Sequence, residues 1–435
     1  MSIFEDAISS GGSHIRRLSN DLVKPSDLYS TRNVVIDPRH LKAPKEAQET
    51  AVEMELAKEH LEYANSSVDA SPVPASPASS PSFPAASTTT ATDTDEFALA
   101  FDIDGVLIRG GKPIPAAVKA MRYINGENPY GIRVPYIFVT NGGGKTEEER
   151  CIDLSKQLGI TVSPAQFICG HTPMREMAEK YNTVLVVGGE GEKCREVAKG
   201  YGFKDVVTPG DIIKTADDTT PFRKLTPEEF ENSRYLDFKT LRIEAIFVFA
   251  DSRDWAGDQQ IILDVLMSKN GNLLERSETL DEKPPVYFSH NDAVWSTSHS
   301  HVRIGMGCLR AALEAMYRTV TGKELHTVAF GKPQLGTYQF ATRLLRQWRK
   351  DNHAINKPPG TVYFVGDTPE SDIRGTNEFN KVSDSNWHSI LVKTGVYRPG
   401  TIPRYPPRAT CDDVYEAVKY AMKREFGNPP IDAEE

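Results

Sequence analysis

The chain has 435 residues, a formal net charge of −9 and a charged fraction of 26%, which fits a soluble globular enzyme of two to three domains with some disordered sequence. The acidic surplus argues against nucleic acid as the main partner, since binding to a phosphate backbone depends on clustered Lys and Arg. The apolar runs are strand-sized and predict no transmembrane segment. Five scattered cysteines without a Cys-x-x-Cys pair argue against a zinc or dithiol centre and predict reduced, intracellular thiols.

The sequence up to residue 95 predicts a polar lead that is largely disordered. Residues 1–64 form a polar segment, in which residues 44–63 have a helical composition but only a thin apolar face. Residues 65–95 are Ser, Pro, Ala and Thr with almost no large hydrophobes, so we expect a disordered linker. Two arginines and several serines near the N-terminus resemble a mitochondrial transit segment, but two acids just before them argue against one. Composition therefore leaves mitochondrion and cytosol open.

From Phe97 onward, short apolar runs alternate with helical stretches. Continuous apolar strands separated by helices indicate a parallel sheet that is covered on both faces. The predicted strands are Phe97–Phe101, Tyr136–Val139, Val184–Val187, Ala245–Phe249, Val362–Val365 and Ile390–Val392. A capping box from Thr146 to Glu149 predicts the start of the helix after the second strand, and Thr172-Pro173 predicts the start of another.

The first predicted strand is followed by Asp102-Ile103-Asp104-Gly105-Val106. Two carboxylates two residues apart at the carboxyl end of a strand can both face the crevice in which open α/β sheets bind ligands. One can act as a nucleophile and the other as general acid and base. A surface turn or a calcium loop is the alternative interpretation, but no third acid or terminal Glu follows at the spacing of a calcium loop.

The next two motifs supply hydrogen-bond donors and a positive charge. Thr140 and Asn141 follow the second strand together with two glycines, and their hydroxyl and backbone amides suit phosphate oxygens. Such a sequence is more often a plain turn. Lys332, between a Gly and a Pro, can offset the negative charge that repels an attacking carboxylate, although single surface lysines are common.

The last motif contains Asp367 and Asp372, after the predicted strand Val362–Val365. An acid at this position can complete a magnesium site, because Mg²⁺ prefers oxygen ligands and usually takes one or two carboxylates plus substrate phosphate. An acidic turn that caps a helix is the alternative. Each motif alone is ambiguous, but four motifs in this order, three of them directly after apolar strands, favour one joint active site.

In this order the motifs resemble those of the haloacid dehalogenase (HAD) superfamily. The long stretch between Asn141 and Lys332 resembles the class IIA arrangement, in which a cap domain is inserted at that place. The resemblance implies an α/β fold with a Rossmann-like core and a parallel sheet, formed by residues 97–143 and 328–426. An inserted α/β cap of the C2 type would occupy residues 144–327.

A narrower resemblance is to the cat-eye-syndrome-critical-region family of HAD-like hydrolases. It rests on residues 250–264, 291–307 and 321–325, and it extends over about 97–426. One departure is that relatives often have Asn-Pro-Asp where this chain has Asn291-Asp292. The resemblance to fungal members implies a mitochondrial location and a link to glycerophospholipid metabolism.

The resemblance also implies roles for the motif residues. The protein would be a magnesium-dependent phosphatase that forms an aspartyl-phosphate on Asp102, with Asp104 as acid and base. Thr140 and Asn141 would bind the phosphoryl group, and Lys332 would bind it and neutralise charge.

The metal site would contain Mg²⁺ as the cofactor. The resemblance implies that Asp102 and Asp367 bind it through their carboxylates and Asp104 through its backbone carbonyl. Asp372 would lie in the outer shell or act as a second acid beside the metal.

The favoured function is therefore hydrolysis of a small phosphorylated metabolite, because a cap of this size closes the site against bulky substrates in class IIA enzymes. A dehalogenase on the same fold is opposed by Asp104, since such an enzyme needs neither a second acid nor magnesium. A non-catalytic or weakly catalytic interaction protein is the alternative, supported by the lead segment, whose partner is unknown. The sequence leaves a homo-oligomer open.

Overall fold

The computed structural model describes residues 92–429. The predicted lead segment with its helix and the predicted linker up to residue 91 lie outside these residues. The strands, numbered along the chain, are β1 (Thr92–Asp93), β2 (Phe97–Phe101), β3 (Ile108–Arg109), β4 (Lys112–Pro113), β5 (Ile132–Arg133), β6 (Tyr136–Val139), β7 (Phe167–Ile168), β8 (Thr183–Val187), β9 (Asp205–Val207), β10 (Ala245–Val248), β11 (Ser268–Lys269), β12 (Asn272–Arg276), β13 (Val286–Phe288), β14 (Val294–Trp295), β15 (Arg303–Ile304), β16 (Val328–Ala329), β17 (Thr361–Gly366), β18 (Asn386–Val392) and β19 (Ala409–Cys411).

The helices alternate with these strands. They are α1 (Pro115–Ile124), α2 (Glu147–Leu158), α3 (Lys193–Gly200), α4 (Pro209–Thr215), α5 (Pro227–Asn232), α6 (Trp255–Met267), α7 (Met306–Thr321), α8 (Leu335–His353), α9 (Arg374–Phe379) and α10 (Val414–Phe426). Single 3-10 or π-helical turns lie at Pro164–Gln166, Thr172–Met177, Asp217–Thr219 and Pro369–Ile373. Of the helices within residues 92–429, none has the length and apolar character that crossing a membrane requires.

A six-stranded sheet, parallel throughout, has the order β19-β18-β17-β2-β6-β7. Its strand β2 is fully buried, and its alternate side chains face two different hydrophobic clusters. Phe97, Leu99 and Phe101 pack with α1 and α10 on one face. Ala98 and Ala100 pack with α8 on the other face. The predicted parallel sheet covered on both faces is therefore confirmed, and the fold is α/β.

A second parallel sheet has five strands in the order β16-β13-β10-β8-β9. Its strand β10 is also buried throughout and also faces two clusters. Ile246 and Val248 pack with α6 and α7, whereas Ala245 and Phe247 pack with α3. Each sheet thus has its own pair of helical layers, which is the arrangement that near-continuous apolar strands require.

The chain passes between the two sheets at places that differ from the predicted boundaries. Strand β7 still pairs with β6 of the six-stranded sheet, so the change lies after residue 168 and not at residue 144. Strand β16 still pairs with β13 of the five-stranded sheet, so the return lies after residue 329 and not at residue 328. Both misplaced strands have only two residues, too few for an apolar pattern to reveal. The division into a core and a cap domain stays a prediction.

The structure confirms one local prediction and corrects two others. The capping box of Thr146 and Glu149 is present with both of its reciprocal hydrogen bonds and begins α2. Thr172-Pro173 begins only a 3-10 segment, which is shorter than the predicted helix. The predicted linker ends too late, because β1 pairs with β5 and Arg133 Nε lies 2.9 Å from Asp93 Oδ1. Composition missed β1 because its partners lie some forty residues along the chain, outside any local window.

Candidate active site

Three loops meet at one edge of the six-stranded sheet. Strands β17, β2 and β6 are neighbours and run parallel, so the residues that follow them, Asp367, Asp102 and Thr140, come to the same edge. Lys332 enters from the segment between β16 of the other sheet and α8. The four motifs that the sequence placed in one order are thus neighbours in space.

Lys332 lies between two of the acids. Its Nζ is 2.8 Å from Asp102 Oδ1 and 2.7 Å from Asp372 Oδ1. Asp102, Asp367 and Asp372 each have a carboxylate oxygen within 4.8 Å of those of the other two. None of these four residues is more than 7% exposed. Three buried carboxylates around one ammonium leave an excess of negative charge, which a bound cation would neutralise.

The pKa values of the cluster reflect this excess. Burial raises the pKa of Asp102 well above its usual range, although the charge of Lys332 opposes the shift. Burial, reinforced by the charge of Asp372, raises the pKa of Asp367 to about 7. Burial also disfavours the charged form of Lys332, but the charges of Asp102 and Asp372 outweigh it and raise the lysine pKa. The lysine is therefore an ammonium group, and a further cation would favour ionisation of both raised acids.

Backbone amides and a closely packed glycine hold the acids in place. Asp372 Oδ2 accepts hydrogen bonds from the backbone N–H groups of Asp367 and Thr368, both at 3.0 Å. Asp367 Oδ2 accepts one from the Val396 N–H at 2.7 Å. A Cβ at Gly395 would lie only 1.7 Å from this oxygen, so the loop after β18 can approach only as glycine. No motif in the sequence pointed to residues 395–396.

Asp104 lies apart from the acid cluster. Its side chain is 45% exposed, and its Oδ2 lies 3.9 Å from Arg150 Nη2. The position of a Cβ on Gly142 would be 3.2 Å from Asp104 Oδ2 and 3.3 Å from Thr140 Oγ1. Asp104 and Thr140 therefore face the same small space above Gly142. This placement suits proton transfer to a group that the Thr140 hydroxyl holds.

The side chain of Asn141 joins three segments. Its Oδ1 accepts a hydrogen bond from the Lys332 N–H at 2.7 Å, and its Nδ2 donates to the Lys332 carbonyl at 3.0 Å. The same Nδ2 donates to Asp292 Oδ2 at 2.8 Å. Both N–H bonds of the amide are thus used, so the phosphate contact predicted for Asn141 would have to come from its backbone.

Asp292 is a site residue that the sequence did not identify. In the sequence, Asp292 stands out only as part of a departure from the Asn-Pro-Asp pattern. In the structure it follows β13 of the five-stranded sheet and accepts a hydrogen bond from Asn141. Burial raises its pKa, although the nearby His290 opposes the shift. Asn291 and Asp292 retain the Asn and the Asp of the relatives' Asn-Pro-Asp pattern. This match was the one feature of the sequence that could have pointed to Asp292 as a site residue.

Two family models match the chain. Residues 99–204 match a haloacid dehalogenase-like hydrolase model, and residues 329–417 match a HAD-hydrolase-like model. A mitochondrial hydrolase of Saccharomyces cerevisiae is 37% identical over 355 residues, which cover 77% of this chain and 97% of that protein. The chain belongs to the haloacid dehalogenase-like hydrolase family.

Two further comparisons place this HAD-like hydrolase among its relatives. A cardiolipin synthase (CMP-forming)/mitochondrial hydrolase fusion protein of Schizosaccharomyces pombe is 37% identical over 327 residues, or 75% of this chain. The chain spans about half of that fusion protein, 53% of its length. The solved structure of a hypothetical protein from Pyrococcus horikoshii matches 75% of this chain and 99% of its own, with 21% identity and a TM-score of 0.50, and shows the fold alone. Both curated relatives are named as mitochondrial, which bears out the predicted mitochondrial location over the cytosolic alternative.

The acid cluster of this HAD-like hydrolase fits a hard divalent cation. Its donor set consists of carboxylate oxygens alone, which suits Mg²⁺ better than zinc, whose structural sites use Cys and His. Asp102 and Asp367 are the two acids predicted as ligands, and Asp372 lies within the same 4.8 Å limit of both. The carboxylate of Asp104 is not in this group, and a metal contact through its backbone carbonyl stays a prediction.

Proposed function

We propose that this hydrolase is a magnesium-dependent phosphatase that acts through an aspartyl-phosphate on Asp102. The observation that carries the proposal is the contrast between two carboxylates two residues apart. Asp102 is buried against Lys332 inside the acid cluster, whereas Asp104 is half exposed beside Thr140. One environment suits a fixed nucleophile, and the other suits a group that exchanges protons with substrate and water.

The reaction proceeds in two steps that exchange one proton through Asp104. In the first step, a carboxylate oxygen of Asp102 forms a bond to phosphorus, the bond from phosphorus to the alcohol oxygen breaks, and Asp104 gives that oxygen its proton. In the second step, water attacks phosphorus, Asp104 takes the proton from this water, and the bond to Asp102 breaks. Inorganic phosphate and an alcohol leave, and both carboxylates return to their starting forms.

The other residues of the site bind and orient the phosphoryl group. The ammonium of Lys332 offsets charge where the nucleophile meets the phosphate oxygens. The Thr140 hydroxyl and the backbone after β6 donate hydrogen bonds to those oxygens. A magnesium ion held by Asp102 and Asp367, with Asp372 beside them, would supply Lewis-acid polarisation of the phosphoryl group.

The substrate we propose is a small phosphomonoester of the glycerophospholipid type. The five-stranded sheet contributes Asp292 and the segment up to Lys332, so we propose that it acts as a cap over the site and admits only small head groups. The joining of a hydrolase with a cardiolipin synthase in one fission-yeast protein supports a phosphate ester of this class. The Asp104 side chain beside the space above Gly142 is 45% exposed, which leaves room for an alcohol group to reach it.

The test is phosphate release from p-nitrophenyl phosphate and from glycerol 3-phosphate, with Mg²⁺ and with a chelator. We expect turnover with Mg²⁺ and its loss with the chelator, restored by added Mg²⁺ but not by Ca²⁺ at the same concentration. Full turnover in the chelator would contradict the metal requirement. A folded protein without turnover on any phosphomonoester would favour the interaction-protein alternative instead.

A further inference from the structure

The space above Gly142 has a third polar wall besides Asp104 and Thr140. The position of a Cβ on Gly142 would lie 3.6 Å from Arg150 Nη2, as well as 3.2 Å from Asp104 Oδ2 and 3.3 Å from Thr140 Oγ1. A guanidinium, a carboxylate and a hydroxyl thus all lie within 3.6 Å of the position that a Cβ at residue 142 would take. Arg150 lies in the first turns of α2, whose start the capping box fixes.

The guanidinium of Arg150 is weakly engaged by the protein itself. Its one ion pair within residues 92–429 is the contact with Asp104 at 3.9 Å, and its side chain is 26% exposed. Arg195, by comparison, makes two hydrogen bonds of 2.7–2.8 Å to a single carboxylate. A partly buried guanidinium can bind a carboxylate or phosphate through two hydrogen bonds at once, since its donors form a fixed fork that matches their oxygens. Arg150 therefore has donors left for an anion in the space above Gly142.

We propose that Arg150 forms a subsite for a second anionic group on the alcohol side of the substrate. The inference rests on the proposed phosphatase function, in which Asp104 protonates the departing alcohol oxygen. Thr140, on one side of the space above Gly142, is the residue that binds the transferred phosphoryl group in that function, whereas Arg150 contacts Asp104 and therefore lies on the side of the departing alcohol. Lys332 is already paired with two carboxylates, so a second negative charge on the substrate needs a cation of its own, and Arg150 supplies it.

The subsite defines a substrate class by its chemistry. It takes phosphomonoesters whose alcohol carries a carboxylate or a second phosphate within a few bonds of the ester oxygen. A monoester with a neutral alcohol, such as glycerol 3-phosphate, leaves the guanidinium without a partner and gains nothing from it. The second anionic group can be a carboxylate or a phosphate, and both accept charge-assisted hydrogen bonds from a guanidinium. The experiment therefore includes one substrate with each group.

The test compares Arg150→Met with Lys156→Met, which removes an exposed cation from the far end of the same helix α2. The substrates are p-nitrophenyl phosphate and glycerol 3-phosphate as neutral-alcohol esters, and 2-phosphoglycolate and glycerol 1,3-bisphosphate as esters with a second anion. For the last two we expect Arg150→Met to lower kcat/KM by about tenfold or more, the effect of one lost charge-assisted hydrogen bond. The neutral-alcohol esters should change by no more than about threefold, and Arg150→Lys should restore part of the loss.

Two outcomes would overturn the subsite. An equal fall on all four substrates would mean that Arg150 only positions Asp104, and no fall on any would mean that it has no role. Binding of 2-phosphoglycolate and of inorganic phosphate to Asp102→Asn and to the double variant with Arg150→Met separates this inference from the proposed function. If the wild-type protein hydrolyses nothing but Arg150→Met still weakens 2-phosphoglycolate binding selectively, the phosphatase proposal fails and the subsite stands.

Discussion

Two buried charge clusters in this molecule differ in their balance of charge: one has an excess of negative charge and the other is neutralised. At the end of the six-stranded sheet, Asp102, Asp367 and Asp372 share one ammonium, that of Lys332. Near the end of the five-stranded sheet, the Arg195 guanidinium lies between two acids. Asp211 accepts from two of its N–H groups, at 2.7 and 2.8 Å, and Glu192 accepts from its Nε.

Both carboxylate oxygens of Asp211 also accept hydrogen bonds from a second arginine, Arg234. The donors are the Arg234 backbone N–H at 2.8 Å and Arg234 Nε at 3.2 Å. Burial raises the Asp211 pKa, but the hydrogen bonds with Arg195 and Arg234 outweigh it and hold the pKa below its usual value. In the other cluster, burial and mutual repulsion raise the pKa values of Asp102 and Asp367. Breaking a neutralised buried pair destabilises the fold, because it leaves a charge uncompensated, whereas an excess of buried negative charge is typical of a functional site.

The largest effect should follow from Asp102→Asn. Because a neutral amide oxygen is a far poorer nucleophile than a carboxylate, we expect turnover to fall by about 10³-fold or more. The fold should be retained, since Asn is nearly isosteric and removes one of three crowded charges. Phosphate release with circular dichroism as the folding control checks this, and a folded variant with wild-type turnover would rule out the mechanism.

Asp104→Asn should have a smaller but still severe effect. Loss of proton transfer to the departing oxygen lowers kcat by about 10²- to 10⁴-fold. The loss should shrink for p-nitrophenyl phosphate, whose leaving group needs little protonation, compared with an alkyl phosphate. Equal losses on both esters would contradict the acid–base role of Asp104.

In the neutralised cluster of Asp211 and Arg195, we expect a substitution to change the stability of the fold and not the rate of catalysis. Asp211→Asn removes the acid that takes two N–H groups of the buried Arg195 and leaves Glu192 to offset its charge, so we expect the unfolding free energy to drop by about 3 kcal/mol. Because the folded-state pKa of Asp211 lies below the unfolded value, this contribution is present above the unfolded pKa and lost as the pH falls through the folded one. Urea titrations of both proteins between pH 3 and 7 should therefore converge at the acidic end. The kcat of folded Asp211→Asn should match wild type, and a selective loss of turnover would break the distinction between the two clusters.

We expect Mg²⁺ to stabilise the protein by binding the cluster of Asp102, Asp367 and Asp372, and not the cluster of Asp211 and Arg195. A ligand at about a hundred times its dissociation constant adds roughly 2.7 kcal/mol to the unfolding free energy. We expect a rise in melting temperature with Mg²⁺ for wild type and for Asp211→Asn, and none for Asp367→Asn. A rise of the same size in Asp367→Asn would show that the metal binds elsewhere.

Removal of residues 1–91 should have the smallest effect. None of the site residues lies there, so we expect kcat/KM to stay within about twofold. Removal through residue 95 should instead lower stability, because it deletes β1 and the Asp95 carbonyl that accepts a hydrogen bond of 2.7 Å from Arg349 Nη2. Equal melting temperatures for the two truncated proteins would contradict the role of this short segment.

The local parts of the fold and site could be predicted from sequence, and the long-range parts could not. The strand before Asp102 is five consecutive apolar residues, and a strand end followed by acids is a pattern within a few residues. The hydrogen bond from Asn141 to Asp292 joins residues 151 positions apart, and neither neighbourhood signals the other. The same holds for Gly395, whose small size matters only because Asp367 packs against it. Sheet changes at two-residue strands were misplaced for the same reason.

The most direct test is to trap the covalent intermediate. Wild-type protein with Mg²⁺ and a substrate labelled in its phosphate is quenched in acid within the first turnovers, digested and sequenced by mass spectrometry. We expect a phosphate adduct on the peptide that contains Asp102, with none in Asp102→Asn. Sustained turnover without any adduct on that peptide, or an adduct on a different residue, would contradict nucleophilic catalysis by Asp102.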